Sequence, residues 1–341
     1  MLTAWVCFGA PPNLGSLLLV PLAVLLLALW IDRHLGEPPA LIHPVVWMGR
    51  YLGVCGRVTV HCPPALALIL GTLAWALGAA VTGAAAWALQ ALVCRQFARF
   101  GAMPGLAEGA ALLAIMLAMA WLLKCMLSWR MLHGEVGAVE TALHLSLAAG
   151  RERLSWLVSR DTALLDESAV RESAIESLAE NLNDSVVAPI FWFVLLGLPG
   201  AAIYRFANTA DAMWGYRGVY RGQHWEWAGK WAAWADDVLS WLPARLTAGL
   251  LALVAGGLPV QALRAEAGKT PSPNSGWPMA AMALALGISL GKPGVYRLNP
   301  AGRAPRSADT AAAQRFASNA VRVIVWTAVS AFILIAIGVA S

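Results

Sequence analysis

Charge is what this sequence has least of. Only 13% of its 341 residues are Asp, Glu, Lys or Arg, whereas 59% are apolar; soluble domains carry about 25% charged residues. Too few polar side chains remain to cover a water-soluble globule of this length. Basic residues are absent before Arg33, so the first apolar block lacks the charged leader of a cleaved signal peptide. The five cysteines (Cys7, Cys55, Cys62, Cys94 and Cys125) are scattered, with no Cys-x-x-Cys pair, and no disulfide framework or zinc site is read from them. The net charge of +5 is spread over the connecting segments without the dense Lys/Arg run of a nucleic-acid partner. Soluble-enzyme signatures are missing too. Gly268-Lys-Thr270 ends like a phosphate loop, but Leu263 stands where its first glycine should be, which rules out a Walker A loop. No G-x-S-x-G or H-E-x-x-H string occurs.

What the sequence does have is apolar blocks of bilayer length, for which about 20 residues suffice. The clearest run over about 16–31, 65–93, 109–127 and 321–340. Residues 186–204, 246–263 and 277–290 are weaker blocks, interrupted by Pro189 and Pro199 or by Gly256-Gly257, or simply short. The reading is an all-α, polytopic membrane bundle forming one membrane-embedded domain over 1–341. Arg33, Arg50 and Arg57 follow the first block, so the positive-inside rule places the segment after Ile31 in the cytoplasm. The 17 tryptophans suit interfacial belts.

Charge is also unevenly placed. Lys124 to Asp184 holds 10 of the 19 acidic residues, and Lys292 to Arg322 reads as a basic juxtamembrane linker. The segment Thr162 to Asp184 is read as an amphipathic helix, with Leu164, Ile175, Leu178 and Leu182 on one face. Glu172, Glu176, Glu180 and Asp184 recur every four residues on another face. Three like-charge pairs at that spacing cost on the order of 1 kcal/mol in total. Periodicity alone leaves two readings open: a solvated face that tolerates the cost, or a face where Mg²⁺ or a cationic substrate offsets it. Asn208 and Asp211 share one side of a helical turn, which a cap or turn explains at least as well as joint metal or hydroxyl binding, and Asp236-Asp237 is a second carboxylate pair, for which a plain surface pair is the commoner reading. His43 follows the polar turn Asp32 to Pro39 and reads first as a hydrogen-bonded structural residue. Ser272-Pro-Asn274-Ser-Gly-Trp277 is a turn by composition.

These strings, taken together, resemble the CobD/CbiB membrane proteins, the adenosylcobinamide-phosphate synthases. The residues that carry the resemblance begin with Asp32, Gly36-Glu-Pro38, His43-Pro-Val45 and Met48-Gly49. They continue through Arg160-Asp161, the core Glu176-Ser-Leu-Ala-Glu-Asn-Leu-Asn-Asp184, Pro189-Ile-Phe-Trp192 and Gly197-Leu-Pro-Gly200. Tyr204-Arg-Phe-Ala-Asn-Thr-Ala-Asp211, Ala235-Asp-Asp237, Pro243-Ala-Arg245 and Ser272 to Pro278 complete it. It extends over roughly residues 25 to 290, and nothing is carried over to Arg297–Arg315.

The resemblance implies an ATP-dependent amide ligation: a propionate carboxylate of (adenosyl)cobyric acid is joined to aminopropanol phosphate or aminopropanol. It implies ATP and Mg²⁺ as cofactors. The expected partners are a corrinoid, an amino alcohol (phosphate), the lipid bilayer and other cobalamin-pathway enzymes. The expected place is the cell (inner) membrane, with the active site on the cytoplasmic side. Under this resemblance Glu176, Glu180, Asp184, Asp211, Asp236 and Asp237 are the expected metal ligands. Arg160, Arg205, Arg217, Lys230 and Arg245, with Asn208 and Asn274, are expected to hold the nucleotide. His43 or Glu172 would take the amine proton, and Arg160, Asp161 and Glu176 complete the expected catalytic set.

Two rivals are weighed against this. A membrane prenyltransferase needs two facing Asp-rich motifs, and Asp236-Asp237 lacks the further aspartates. A vitamin or metal transporter would line its path with charge, whereas the charge here is gathered in the connecting segments.

Overall fold

The computed structural model describes residues 14–100 and 105–340; the expectations for Cys7 and for the Cys94 side chain fall outside the described positions. The chain is a helical protein, 75% helix, and five helices among the described residues are long and apolar enough to cross a membrane. Backbone contacts divide it into two compact units. The first comprises 1–128, 188–239 and 327–341; the second comprises 129–187 and 240–326.

The first unit contains α1 (Leu14–Leu35), α2 (Pro44–Thr59), α3 (Pro64–Phe100), α4 (Leu106–Met126) and α8 (Ala188–Trp214), with the short ribbon β1–β2 (Val219–Tyr220, Gln223–His224). Pro44 opens α2, where its missing N–H costs nothing, and the His43 ring accepts the Val45 N–H as the cap. Small residues on α3 let its neighbours approach closely, as membrane helix contacts require. A Cβ at Gly78 would lie 2.2 Å from Phe206 Cζ, and one at Gly71 would lie 2.2 Å from the Ala228 carbonyl oxygen. The Tyr51 hydroxyl donates to the Ala74 carbonyl at 2.7 Å, tying α2 to α3.

α8 is broken at Gly197, whose φ of 70° and ψ of −161° leave the helical region just before Pro199. The freed Leu198 N–H donates to Oε1 of buried Gln90 at 2.9 Å. A polar side chain from a neighbouring helix thus satisfies the backbone group that an apolar setting would leave unpaired. This is the physical origin of the weak apolar block expected at 186–204.

The second unit contains α5 (Trp129–Leu145), α6 (Leu147–Leu154), α7 (Glu167–Leu182), α10 (Val260–Ala267), α11 (Gly276–Leu286) and the ribbon β3–β4 (Leu290–Lys292, Tyr296–Leu298). α9 (Lys230–Val254) and α12 (Ser307–Ala340) each contribute to both units. Asp166 caps α7 by accepting from Ala169 N, and a π-turn, Asn183–Val187, follows it. α7 is packed by α5, α6, α11 and β3.

Several expectations are corrected. The helix begins at Glu167, not Thr162, because Asp161 and Asp166 hold turns; Leu164, expected on the apolar face, is exposed. The block expected at 246–263 is instead the helix Lys230–Val254, which stops where Gly256 and Gly257 both adopt positive φ, a conformation glycine tolerates and helices end on. The block at 277–290 is α11, whose 11 residues reach about 16 Å, half of a bilayer core.

Candidate active site

The chemistry of the second unit gathers on α7. Arg160 reaches it from the loop after α6, which is fixed by Arg151 Nε donating to the Leu165 carbonyl at 2.6 Å and Thr162 Oγ1 donating to the Arg151 carbonyl at 3.0 Å. From there Arg160 Nη2 donates to Ser173 Oγ at 2.7 Å and to Glu176 Oε2 at 2.9 Å. Asp161 accepts the Ala163 N–H and lies exposed in a turn.

The solvated-face reading of the acidic helix is overturned. Glu172 is 7% exposed and Glu176 only 3% exposed. Buried carboxylates need charge partners, which Arg160 supplies to Glu176 and Arg297, 3.8 Å away, supplies to Glu172. Two polar atoms of this pair, Oε1 of Glu176 and Nε of Arg160, are buried without a hydrogen bond of standard geometry among the described residues, and the Tyr296 phenol lies close enough to interact with the Glu176 carboxylate.

Glu176 lines a polar pocket of about 170 Å³, whose walls also include Arg160, Ser177, Glu180, Asn181, Lys292 and Tyr296. The last two come from the ribbon. Lys292 and Tyr296 are directly opposed across β3–β4, so both side chains project to the same face. Burial, then the negative charges of Glu176 and Glu180, push the Tyr296 phenol well above its ordinary range; it stays protonated and able to donate. Sequence reasoning read Lys292 as part of a membrane linker. The signal that could have found the ribbon was Gly291-Lys-Pro-Gly294, a turn string between apolar positions.

Other expected residues fall elsewhere. Asp184 lies on the π-turn, where it accepts from Asn183 Nδ2 at 2.8 Å. Arg245 and Asn274, expected at the nucleotide, bond to each other at 2.7 Å, with the guanidinium between the Trp241 and Trp277 rings. In the first unit Asn208 Nδ2 contacts Asp236 Oδ1 at 3.5 Å, and Arg205 Nη1 contacts Asn208 Oδ1 at the same distance. Arg217 is within electrostatic reach of Asp237, and Asp211 lies beside Gly215. Lys230 stands over Trp227, 4.3 Å from its ring centre. The six carboxylates expected around one metal are therefore shared out: Glu176, Glu180 and Asp184 in the second unit, Asp211, Asp236 and Asp237 in the first. No three His, Cys, Asp or Glu side chains among the described residues converge as a metal cluster.

His43 has a second contact besides its cap, Nε2 to Glu37 at 3.2 Å. Glu37 in turn meets Lys124 at 2.7 Å, and Lys124 meets Asp32 at 3.4 Å. Lys124 is fully buried on α4, an ionisable residue inside a span that is otherwise almost free of them. A larger cavity in the same unit, about 660 Å³, is walled by Trp47, Met48, Trp121, Phe206 and other apolar groups. Its size exceeds the polar pocket's, but apolar walls cannot neutralise developing charge, so we place the chemistry in the polar pocket.

Comparison with known proteins agrees with the motifs. The CobD/Cbib protein family matches residues 25–324, past residue 290, where the motif resemblance stops, and so takes in Lys292 and Tyr296. A Thermococcus kodakarensis protein described as "Probable cobalamin biosynthesis protein CobD" is 41% identical, over 92% of this chain and 93% of its own. The "Cobalamin biosynthesis protein CobD" of Chromobacterium violaceum is 39% identical, over 95% of this chain and 99% of its own. No solved structure matches. This chain belongs to the CobD/CbiB family of cobalamin biosynthesis proteins.

Proposed function

We propose that the chain is an amide-forming ligase of cobalamin assembly, and that the pocket on α7 holds its amine substrate. The reaction is the one expected from the motifs: the carboxylate of (adenosyl)cobyric acid joined to aminopropanol phosphate or aminopropanol. One observation carries the placement. The Glu176 carboxylate, 3% exposed, lines this pocket with Arg160 at 2.9 Å, and an ammonium held on the same wall adds charge-assisted hydrogen bonds. Glu180, one turn away, adds a second acceptor on the same wall.

A carboxylate does not acylate an amine at neutral pH unaided. ATP supplies the activation: the carboxylate oxygen attacks the γ-phosphorus, ADP leaves, and a mixed anhydride forms. The ammonium first gives one proton to a carboxylate; the freed amine nitrogen then attacks the acyl carbon, the carbon–oxygen bond to phosphate breaks, and the second proton leaves with the phosphate. Glu176 and Glu180 hold the ammonium and accept the first proton. Mg²⁺ is usually held by one or two carboxylates together with phosphate oxygens.

The test uses the purified protein in detergent with adenosylcobyric acid, an amine donor, ATP and Mg²⁺, with product read by mass spectrometry. The expected result is a corrinoid amide that requires both ATP and Mg²⁺. Glu176→Gln and Glu180→Gln should raise KM for the amine. No product with either amine donor from well-folded protein would overturn the ligase reading. Unchanged amine kinetics in both glutamate variants would overturn the placement.

A further inference from the structure

The apolar cavity of the first unit, about 660 Å³, is far larger than the voids that a packed protein interior keeps. Left empty, its walls would forgo their dispersion contacts. Water is a poor filler, because a buried water needs about two to four polar partners, and the polar groups of this wall are spent elsewhere. The Tyr51 hydroxyl donates to the Ala74 carbonyl at 2.7 Å, and the Trp47 indole N–H donates to the Leu41 carbonyl at 2.8 Å. The other walls are mostly apolar side chains of α3, α4 and α8, helices that lie in stretches of bilayer length. Leu77 and Val81, on the α3 wall, are more than half exposed. The cavity therefore opens on the outer surface of a span, where the surrounding medium is hydrocarbon.

Size and charge narrow the occupant. From Leu77 to Leu89 the α3 wall runs about 18 Å at the helical rise of about 1.5 Å per residue, over half the depth of a hydrocarbon core of about 30 Å. At the roughly 30 Å³ that a water-sized group takes up in a liquid, the volume holds about 20 methylene groups, enough for one fatty-acyl chain and not for two. Trp47, on the α2 wall, is half-exposed, and Arg50, three residues on and so its neighbour on the helix surface, is exposed. The carboxylates of the preceding turn, Asp32 and Glu37, are matched by Lys124. Tryptophan beside a cation is what proteins place at the headgroup level of a membrane. We propose that this cavity is a phospholipid site, with one acyl chain lying along α3 between α2, α4 and α8 and the phosphate meeting Arg50. The site stands apart from the pocket on α7, and nothing in it depends on the ligase reading.

The experiment uses the full chain in vesicles of phosphatidylethanolamine and phosphatidylglycerol, with a trace of phosphatidylglycerol that carries a diazirine on one acyl chain. After illumination, mass spectrometry locates the adducts. A seated chain should mark the walls at Met48, Leu89 and Trp121 in excess over Trp326 and Leu334 of α12, which are more exposed and line no part of this cavity. Adducts that simply follow exposure, with α12 ahead of the walls, would overturn the proposal, and this comparison needs no variant. Ala85→Phe and Ala118→Phe put a ring into the cavity from exposed wall positions and should remove the excess. Ala84→Phe, exposed on the same helix but off the wall, should keep it. Arg50→Gln should lower the wall adducts about two- to fivefold, the worth of one exposed ion pair, and leave those on α12 unchanged. Melting in detergent separates filling from misfolding. After lipid removal both wall variants should melt at or above the wild type, because the ring replaces the chain, and should lose the rise that added phosphatidylglycerol gives the wild type. Wall variants that melt lower and still gain from the lipid would refute the site. A wild type that is dimeric in detergent, with the dimer lost in Ala85→Phe, would place a second copy on this face and refute it too.

Discussion

The pair Arg160–Glu176 offers the sharpest separation of structure from chemistry. Its guanidinium holds Ser173 Oγ at 2.7 Å and Glu176 Oε2 at 2.9 Å, with side-chain exposures of 19% for Arg160 and 4% for Glu176. Removing one member of a buried pair costs about 3–5 kcal/mol, because the other charge is stranded. Arg160 is a fifth exposed, so water screens part of the stranded carboxylate and about 2–3 kcal/mol is the better figure for Arg160→Met. In Arg160→Met/Glu176→Gln the buried charge is gone. The double variant should therefore recover at least half of that loss, a coupling of about 1.5 kcal/mol against about 0.3–0.5 for independent sites. Unfolding in mixed micelles, followed by tryptophan fluorescence, measures all four corners of the cycle, and the ligation assay runs beside it. Stability should return in the double variant while activity does not. Additive losses would show that the pair is not a coupled unit, and restored activity would remove Glu176 from the chemistry.

Other expectations concern the scaffold. Gln90→Leu should destabilise the first unit by about 1–3 kcal/mol, because the Leu198 N–H at the break in α8 loses its acceptor; an unchanged melting curve in detergent would refute the support role. Gly78→Ala should lower the melting temperature, since its Cβ would sit 2.2 Å from the Phe206 ring, whereas Gly249→Ala, which meets open space, should not. Burial pushes the Glu37 carboxyl up, but hydrogen bonds and charge from His43 and Lys124 outweigh this and hold it below its ordinary 4.5. A depressed carboxyl stabilises the fold above its unfolded pKa and loses that contribution as pH falls through the folded value. The stability gap between wild type and Glu37→Gln should thus be full near neutrality and shrink below about pH 4.5; a gap independent of pH would refute the assignment.

The sequence determined the solvent and the helical class. A chain this apolar and this poor in charge cannot cover itself with polar side chains, and its longest blocks, such as 65–93 and 109–127, became helices in α3 and α4. It also marked the acidic stretch around Glu176 as the place to look, through the cost of repeating like charges. What periodicity could not supply was burial. Glu172 and Glu176 sit on a helix covered by α5, α6, α11 and β3, and no local pattern records what packs over a helix. The partners that make those carboxylates tolerable, Arg160 and Arg297, are 16 and 125 residues from the glutamates they meet. Lys124 was passed over for the same reason, since its partners Asp32 and Glu37 lie on other segments. The ribbon that brings Lys292 and Tyr296 to Glu176 depends on a turn more than a hundred residues away. Only folding decided which charges meet, because an ion pair is set by distance in space, and spacing along the chain constrains that distance only within a few helical turns.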